Sequence, residues 1–209
     1  ATPAIKVLSE LRERKIGHGH IHPNNFFMGE SSQLGECVSS PCGMQAHYLY
    51  EPLERLLANP LGRGEATEKS DIYALGVMAY ELMYGLEKIK TLPKENYILR
   101  SIDQGTYAIF SAGREFSDVF QDFFRGVFND NPGERWGIEQ ITQWLNGKRF
   151  NMIAPTAAKE AARPIEFIGE SYFSRRMLAY SFQTHWRQAL KDIRSLKLDR
   201  WCEMSLHRT

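Results

Sequence analysis

The sequence predicts a mainly α-helical protein with a few short strands. Three observations carry this prediction. Apolar residues recur at helical spacing in most of the chain, and the clearest stripe runs from Phe116 to Phe128. Several of these stretches are followed by glycine, a residue that commonly ends helices. Residues 18–47 instead hold many Gly, Ser, Asn and Pro residues, a composition that favours loops and short strands.

The first half of the chain contains three predicted helices. Residues 4–16 carry apolar side chains near helical spacing, and Gly17 is predicted to end this helix. Residues 69–84 are apolar nearly all round, so this helix should be buried on most faces, with Gly85 as its C-cap. Residues 94–103 form a shorter amphipathic pattern.

The second half begins with the aromatic stripe from Phe116 to Phe128, which we interpret as core. A turn-forming cluster follows at residues 129–133. Another helix is expected around Ile138–Leu145, closed by Gly147.

The chain is predicted to divide into a lobe over residues 1–149, a linker over 150–166 and a helical extension over 167–209. We expect the extension to be a helical hairpin in which Trp186 and Trp201 are packing residues. Two helices of that length cannot bury their many apolar side chains alone, so the extension should dock either on the lobe or on a second molecule, and we favour the lobe of the same chain.

Composition limits the classes of partner. Of 209 residues 43% are hydrophobic and 24% charged, and the net charge of +1 gives no argument for nucleic acid or an anionic membrane as a partner. The apolar runs are shorter than the roughly 18 residues of a membrane span. Three cysteines, Cys37, Cys42 and Cys202, do not form a disulfide framework, so a cytoplasmic location is expected. A protein partner is also expected.

Four segments resemble the C-terminal lobe of protein kinases. Residues 18–25, HGHIHPNN, are similar to the catalytic loop H-R-D-L-K-P-x-N, and residues 50–54, YEPLE, to the A-P-E segment in its bacterial form. Residues 71–76, DIYALG, are similar to the D-x-x-x-x-G that opens the buried central helix. Residues 131–135, NPGER, are similar to D-P-x-x-R. Their order and the helices between them resemble a bacterial Ser/Thr-kinase-type protein over about residues 4–147.

The resemblance also exposes substitutions at the catalytic positions. His20 replaces the aspartate that accepts the proton of the substrate hydroxyl, and His22 replaces the lysine that steadies the transferred phosphate. Gly19 stands where an arginine would bind an activation-loop phosphate. Asn25 is kept at a magnesium-binding position, and Glu36 is the candidate for the magnesium-binding aspartate of the D-F-G segment.

Other matching residues have structural roles in the family that the chain resembles. His18 is expected to pack in the lobe core, and Asp71 to accept hydrogen bonds from amides of the catalytic loop around residues 18–20. Glu54 and Arg135 are expected to form a largely buried ion pair that ties the activation region to the lobe.

These features predict a pseudokinase, a catalytically impaired kinase-like scaffold or regulator that needs no cofactor. The alternative is an atypical ATP-dependent Ser/Thr kinase whose N-terminal lobe lies outside this chain, in which case magnesium and ATP would bind. The glycine-rich loop and the strand lysine of kinases do not occur in these residues.

A metal-binding module is the third hypothesis. It depends on alternating histidines and on nearby cysteines that match no common zinc spacing, namely His18, His20, His22, Cys37, Cys42 and His47.

Overall fold

The computed structural model describes residues 2–27, 29, 32–36, 47–155 and 160–206. Helix makes up 58% of it and strand 5%, which confirms the predicted mainly α class. None of the described helices is long and apolar enough to cross a membrane. The α-helices are α1 Thr2–Glu13, α2 Leu53–Leu56, α3 Glu68–Tyr84, α4 Glu87–Lys90, α5 Lys94–Gln104, α6 Thr106–Ser111, α7 Asp118–Val127, α8 Ile138–Leu145, α9 Arg175–Thr184, α10 Trp186–Arg194 and α11 Lys197–Leu206.

Two small antiparallel sheets complete the described structure. In the first, β1 Phe26–Phe27 pairs with β2 Gln33–Leu34, and in the second, β3 Ile165–Phe167 pairs with β4 Glu170–Tyr172. Short 3₁₀ turns lie at Pro23–Asn25, Tyr48–Tyr50 and Pro60–Gly62.

Helix α3 is the central element of the core, as its all-round apolar pattern predicted. Thr67 and Ser70 form a capping box at its start, and Gly85, with φ of 72°, ends it. Its side chains Ile72 and Val77 are fully buried.

The aromatic stripe forms core, as expected, although α7 begins only at Asp118, after Phe116. Phe124 and Phe128 are fully buried and stack with ring centroids 5.4 Å apart. Gly126 allows the closest contact in this region, because a Cβ there would lie 2.2 Å from the Trp136 ring.

Helix α1 ends earlier than predicted. Its last residue is Glu13, and the chain turns at Lys15, which has a left-handed φ of 57°. Gly17 is therefore not the helix terminator. A Cβ at Gly17 would lie 2.2 Å from the carbonyl oxygen of Ala66, so glycine is needed there for a close backbone approach.

The extension differs from the predicted helical hairpin. It contains the β3–β4 hairpin followed by three helices, α9, α10 and α11. The hairpin turn uses left-handed backbone at Ile168 and Gly169, and the break between α10 and α11 uses it at Leu196. Gly169 is a usual turn residue, but β-branched and leucine side chains rarely adopt positive φ, so the sequence gives no such signal at Ile168 or at Leu196.

The extension has a small core of its own and also contacts the lobe. Ile165, Phe167, Leu178 and Trp201 are buried together within it. The lobe contacts confirm the predicted docking and are made by Met177, Tyr180, Arg176 and Gln183, whose side-chain amide donates to the carbonyl of Leu56 at 3.0 Å.

The expectation for Trp186 was wrong. Trp201 is 7% exposed, whereas Trp186 is 57% exposed. Trp186 starts α10, one residue after the chain leaves helical geometry at His185, so the apolar face that includes Leu178 and Phe182 does not continue to it.

The start of the predicted linker packs on the lobe. The backbone amides of Phe150, Asn151 and Met152 donate to the buried carboxylate of Asp122 at 2.6 to 3.1 Å. The Phe150 ring also lies 4.8 Å from that of Trp136.

Candidate functional site

Asp71, on the first turn of α3, anchors the catalytic-loop-like segment. Its carboxylate accepts hydrogen bonds from the amide of His18 at 2.6 Å and from that of Gly19 at 2.8 Å, as predicted. Gly19 adopts φ of 71°, which favours glycine. Burial raises the pKa of Asp71 to about 6, and the two amide hydrogen bonds oppose that rise.

His18 lies in the interior of the loop, with 2% of its surface exposed. Its Nδ1 accepts from the amide of His20 at 3.3 Å, and its ring also forms a hydrogen bond with the backbone of Gly35. Burial lowers the pKa of His18, and the charges of His20 and His22 act in the same direction. The ring thus links the loop to the segment after β2.

His20 and His22 contact each other directly. Their Nε2 atoms are 2.9 Å apart and their ring centroids 4.5 Å apart. His22 Nδ1 accepts from the amide of Asn24, so in the neutral ring the proton is on Nε2 and is donated to His20 Nε2. A neutral His20 then carries its own proton on Nδ1, so neither of its ring nitrogens is a free acceptor.

Burial lowers the pKa of His22, and the neighbouring His20 adds to the effect. Burial therefore favours the neutral form of His22 at pH 7, although the charge of Glu81 opposes this effect.

Asn25 clamps the loop to the candidate D-F-G segment. Its side-chain amide donates to the carbonyl of His20 at 2.8 Å and to that of Glu36 at 2.9 Å. A Cβ on Gly35 would lie 2.1 Å from Asn25 Oδ1, so this oxygen packs against the backbone. Glu36 itself is exposed.

The magnesium positions assigned to Asn25 and Glu36 stay predictions. Asn25 is buried and Glu36 is exposed, and no group of three or more His, Cys, Asp or Glu among the described residues could hold a metal ion. Cys37 and Cys42 lie outside the described residues. His47 is described, and its Nδ1 accepts from the amide of Leu49.

A network next to His22 was missed by sequence reasoning. A cavity of about 240 Å³ is lined by His22, Tyr50, Glu81 and Lys90. Lys90 Nζ contacts Glu81 at 2.5 Å, and the Tyr50 hydroxyl donates to the same carboxylate. Burial would raise the pKa of Glu81, but the hydrogen bonds from Lys90 and Tyr50 outweigh it and hold the pKa below its ordinary value. The sequence signal for this network was the carboxylate of Glu81 within the otherwise apolar stretch 72–84.

The predicted ion pair between Glu54 and Arg135 is present. Two parallel bonds of 2.7 and 2.9 Å join the guanidinium to the carboxylate. The Arg135 side chain is fully buried, whereas that of Glu54 is 32% exposed. Arg135 also donates to the carbonyl of Asn129 at 2.8 Å and lies 5.4 Å from the centre of the Tyr73 ring.

A second buried ion pair, between Arg55 and Glu51, was also missed by sequence reasoning. Arg55 Nε contacts Glu51 at 2.8 Å, and both side chains are less than a tenth exposed. Arg55 also donates to the carbonyl of Glu65 at 2.9 Å, so it fastens the loop before α3.

Comparison with known proteins indicates a distant protein-kinase-like relationship. No family model matches the chain. The chain is 31% identical over 93 residues to an Aurora kinase of Eremothecium gossypii. The matched stretch covers 42% of this chain and 25% of that relative. An Aurora kinase of Schizosaccharomyces pombe is 25% identical over 145 residues, or 66% of this chain and 40% of the relative. The chain thus spans between a quarter and two fifths of these relatives.

Proposed function

We propose that this chain is a catalytically impaired protein-kinase-like module, a pseudokinase, that acts as a scaffold or regulator by binding a protein partner. The observation that carries the proposal is the bonding of His20. A general base needs a free acceptor within reach of the proton that it removes. Here Nε2 of His20 accepts from His22, and Nδ1 carries the proton of the neutral ring.

The electrostatics of the loop support the same reading. Phosphoryl transfer depends mainly on positioning and on positive charge around the transferred group. Burial lowers the pKa of His22 and so favours its neutral form at pH 7. Asn25 holds two backbone carbonyls, and its Oδ1 packs against Gly35.

Two contacts expected of a kinase-like lobe support the proposal. Asp71 holds the loop, and Glu54 with Arg135 ties the segment before α3 to the lobe. A chain that keeps the scaffold while its catalytic positions differ is suited to presenting a fixed surface to another protein.

A thermal shift measurement with MgATP tests the proposal. We expect the melting temperature of the chain to stay unchanged at millimolar MgATP. A ligand at about 100 times its dissociation constant would add about 2.7 kcal/mol, which for a chain of this size is roughly 5–11 °C. A reproducible rise of several degrees that is lost in Asn25→Ala would refute the proposal and favour the atypical kinase.

The atypical kinase remains the second hypothesis, because an imidazole at the base position can act near neutral pH once its acceptor is freed. It requires nucleotide binding with an N-terminal lobe outside these 209 residues. Transfer of labelled phosphate from MgATP to a protein substrate would establish it. Elemental analysis of the purified chain tests the metal-binding hypothesis.

A further inference from the structure

A second cavity, of about 200 Å³, lies away from the catalytic-loop-like segment. It is formed by the end of α3, by α4 and α5, and by α6 with the segment after it. Its apolar wall includes Tyr80, Ile89, Leu92 and Ile109. None of the loop residues from 18 to 25 lines it.

The cavity carries an excess of positive charge. Lys88, Arg100 and Arg114 line it, and no lining residue is acidic. The carboxylate of Glu87 lies beside the lining residue Gly85, and Asp103 and Glu115 are next in sequence to the lining residues Gln104 and Arg114. Within the described part of the chain, Lys88, Arg100 and Arg114 form no ion pair. This charge attracts an anionic ligand.

Arg114 is held in position before any ligand arrives. Its guanidinium lies over the rings of Tyr80 and Tyr84, at 5.6 and 5.3 Å from their centres. It also donates to the carbonyl of Tyr84 at 3.2 Å. A guanidinium has five N–H donors in a planar fork that matches a carboxylate. Fixing it in advance reduces the entropy lost on binding.

The size of the cavity selects the kind of ligand. Pockets for drug-sized molecules are usually about 300–1,000 Å³, so this one suits one or two side chains. The apolar wall next to the cations favours an apolar group that adjoins a negative charge.

We propose that this cavity is a docking site for an acidic peptide segment of a protein partner. In the complex, an aspartate or glutamate carboxylate of the peptide binds the Arg114 guanidinium, and Lys88 and Arg100 attract its other acids. A neighbouring apolar side chain of the peptide packs between Ile89 and Ile109. The inference rests on the proposed function in one respect, that the partner is a protein. It adds the surface of this chain that binds the partner and the chemistry of the bound segment.

Fluorescence anisotropy of a labelled peptide tests the site. The probe is the synthetic peptide Glu-Leu-Glu-Leu-Glu with blocked ends, compared with Gln-Leu-Gln-Leu-Gln, each titrated with the full chain at low ionic strength. We expect binding of the acidic peptide and at least tenfold weaker binding of the neutral one.

Charge reversal at the rim locates the site. The double variant Lys88→Glu, Arg100→Glu changes two exposed side chains and should weaken acidic-peptide binding about tenfold or more, which is about 1.4 kcal/mol. The matched control reverses two exposed cations on α10, Lys191→Glu and Arg194→Glu, and it should leave the affinity within about twofold. Arg114→Gln, judged by circular dichroism to be folded, should abolish binding.

Several outcomes would overturn the docking site. Equal affinity for the two peptides would do so, as would an affinity that the double variant and the control change alike. Tighter binding of a single-stranded oligonucleotide that the double variant abolishes would assign the cations to nucleic acid. Self-association of the chain that the double variant abolishes would assign the cavity to a second copy.

The docking site and the proposed function fail separately. A chain that ignores MgATP and does not bind the acidic peptide loses the docking site alone. A chain that binds the peptide through these cations and is also stabilised by MgATP keeps the docking site and loses the proposed function.

Discussion

Replacing Glu54 with alanine should destabilise the lobe strongly, because it leaves the Arg135 guanidinium buried without its carboxylate. Breaking a buried ion pair on one side typically costs about 3–5 kcal/mol. We expect the lower end, about 3 kcal/mol, because Glu54 is 32% exposed and the Asn129 carbonyl still accepts from Arg135. For a chain of this size that lowers the melting temperature by roughly 6–12 °C.

Urea denaturation followed by tryptophan fluorescence measures this cost, and Trp136, adjacent in sequence to Arg135, is buried in the native state. Arg12→Ala is the matched control, because the Arg12–Glu68 pair at 3.3 Å has side chains that are 50% and 25% exposed. Such a pair contributes at most about 1 kcal/mol. If Glu54→Ala costs no more than Arg12→Ala, the argument that this pair holds the lobe together is wrong.

Three further predictions follow from the packing and the electrostatics. Gly126→Ala should lower the free energy of unfolding, measured by urea denaturation, by about 1–3 kcal/mol, because its Cβ would overlap the Trp136 ring. Gly62→Ala, which has open space around it, should cost far less, and equal costs would contradict the packing. Nuclear magnetic resonance titration should give His18 a pKa below the ordinary 6.5, because burial disfavours its charged form. The contribution of the neutral His18 ring to stability is therefore lost as the pH falls below about 6.5, and a titration midpoint at or above 6.5 would contradict this. Asp71, with a pKa of about 6, acts oppositely and adds stability as the pH falls from about 6 to 4, so only residue-specific titration separates the two. Truncation after Gly147 should lower the melting temperature, because it removes lobe contacts of the extension, such as the Gln183 bond to Leu56, together with the Phe150 contact with Trp136; an equally stable, soluble and monomeric lobe would show that the extension is not docked.

The sequence predicted best those elements whose signals are local. Gly85 marks the end of α3 in the sequence, and Gly147 follows α8. The aromatic spacing predicted the buried face that includes Phe124. These features depend on residues within one or two turns of one another.

The contacts of Asp71 and of Glu54 with Arg135 could be predicted only from the family resemblance. They join positions 53 and 81 residues apart, and periodicity carries no information over such distances. The magnesium positions assigned to Asn25 and Glu36 remain predictions.

The missed features depend on tertiary structure or on unusual backbone. The Tyr50–Glu81–Lys90 network brings three separate elements together beside His22. The turns at Ile168 and Leu196 place residues that disfavour positive φ in that conformation, so packing of the extension overrides local preference there. The breaks at His185 and Leu196 give the extension three helices instead of two.

Nitrogen-detected magnetic resonance of the histidine rings tests the central claim most directly, since it reports on the substituted catalytic position itself. We predict that at pH 7.5 His22 carries its proton on Nε2, that His20 carries its proton on Nδ1, and that millimolar MgATP leaves both signals unchanged. A proton on Nε2 of His20 with Nδ1 free, or a shift of the His20 signals on addition of MgATP, would contradict the account of an impaired site.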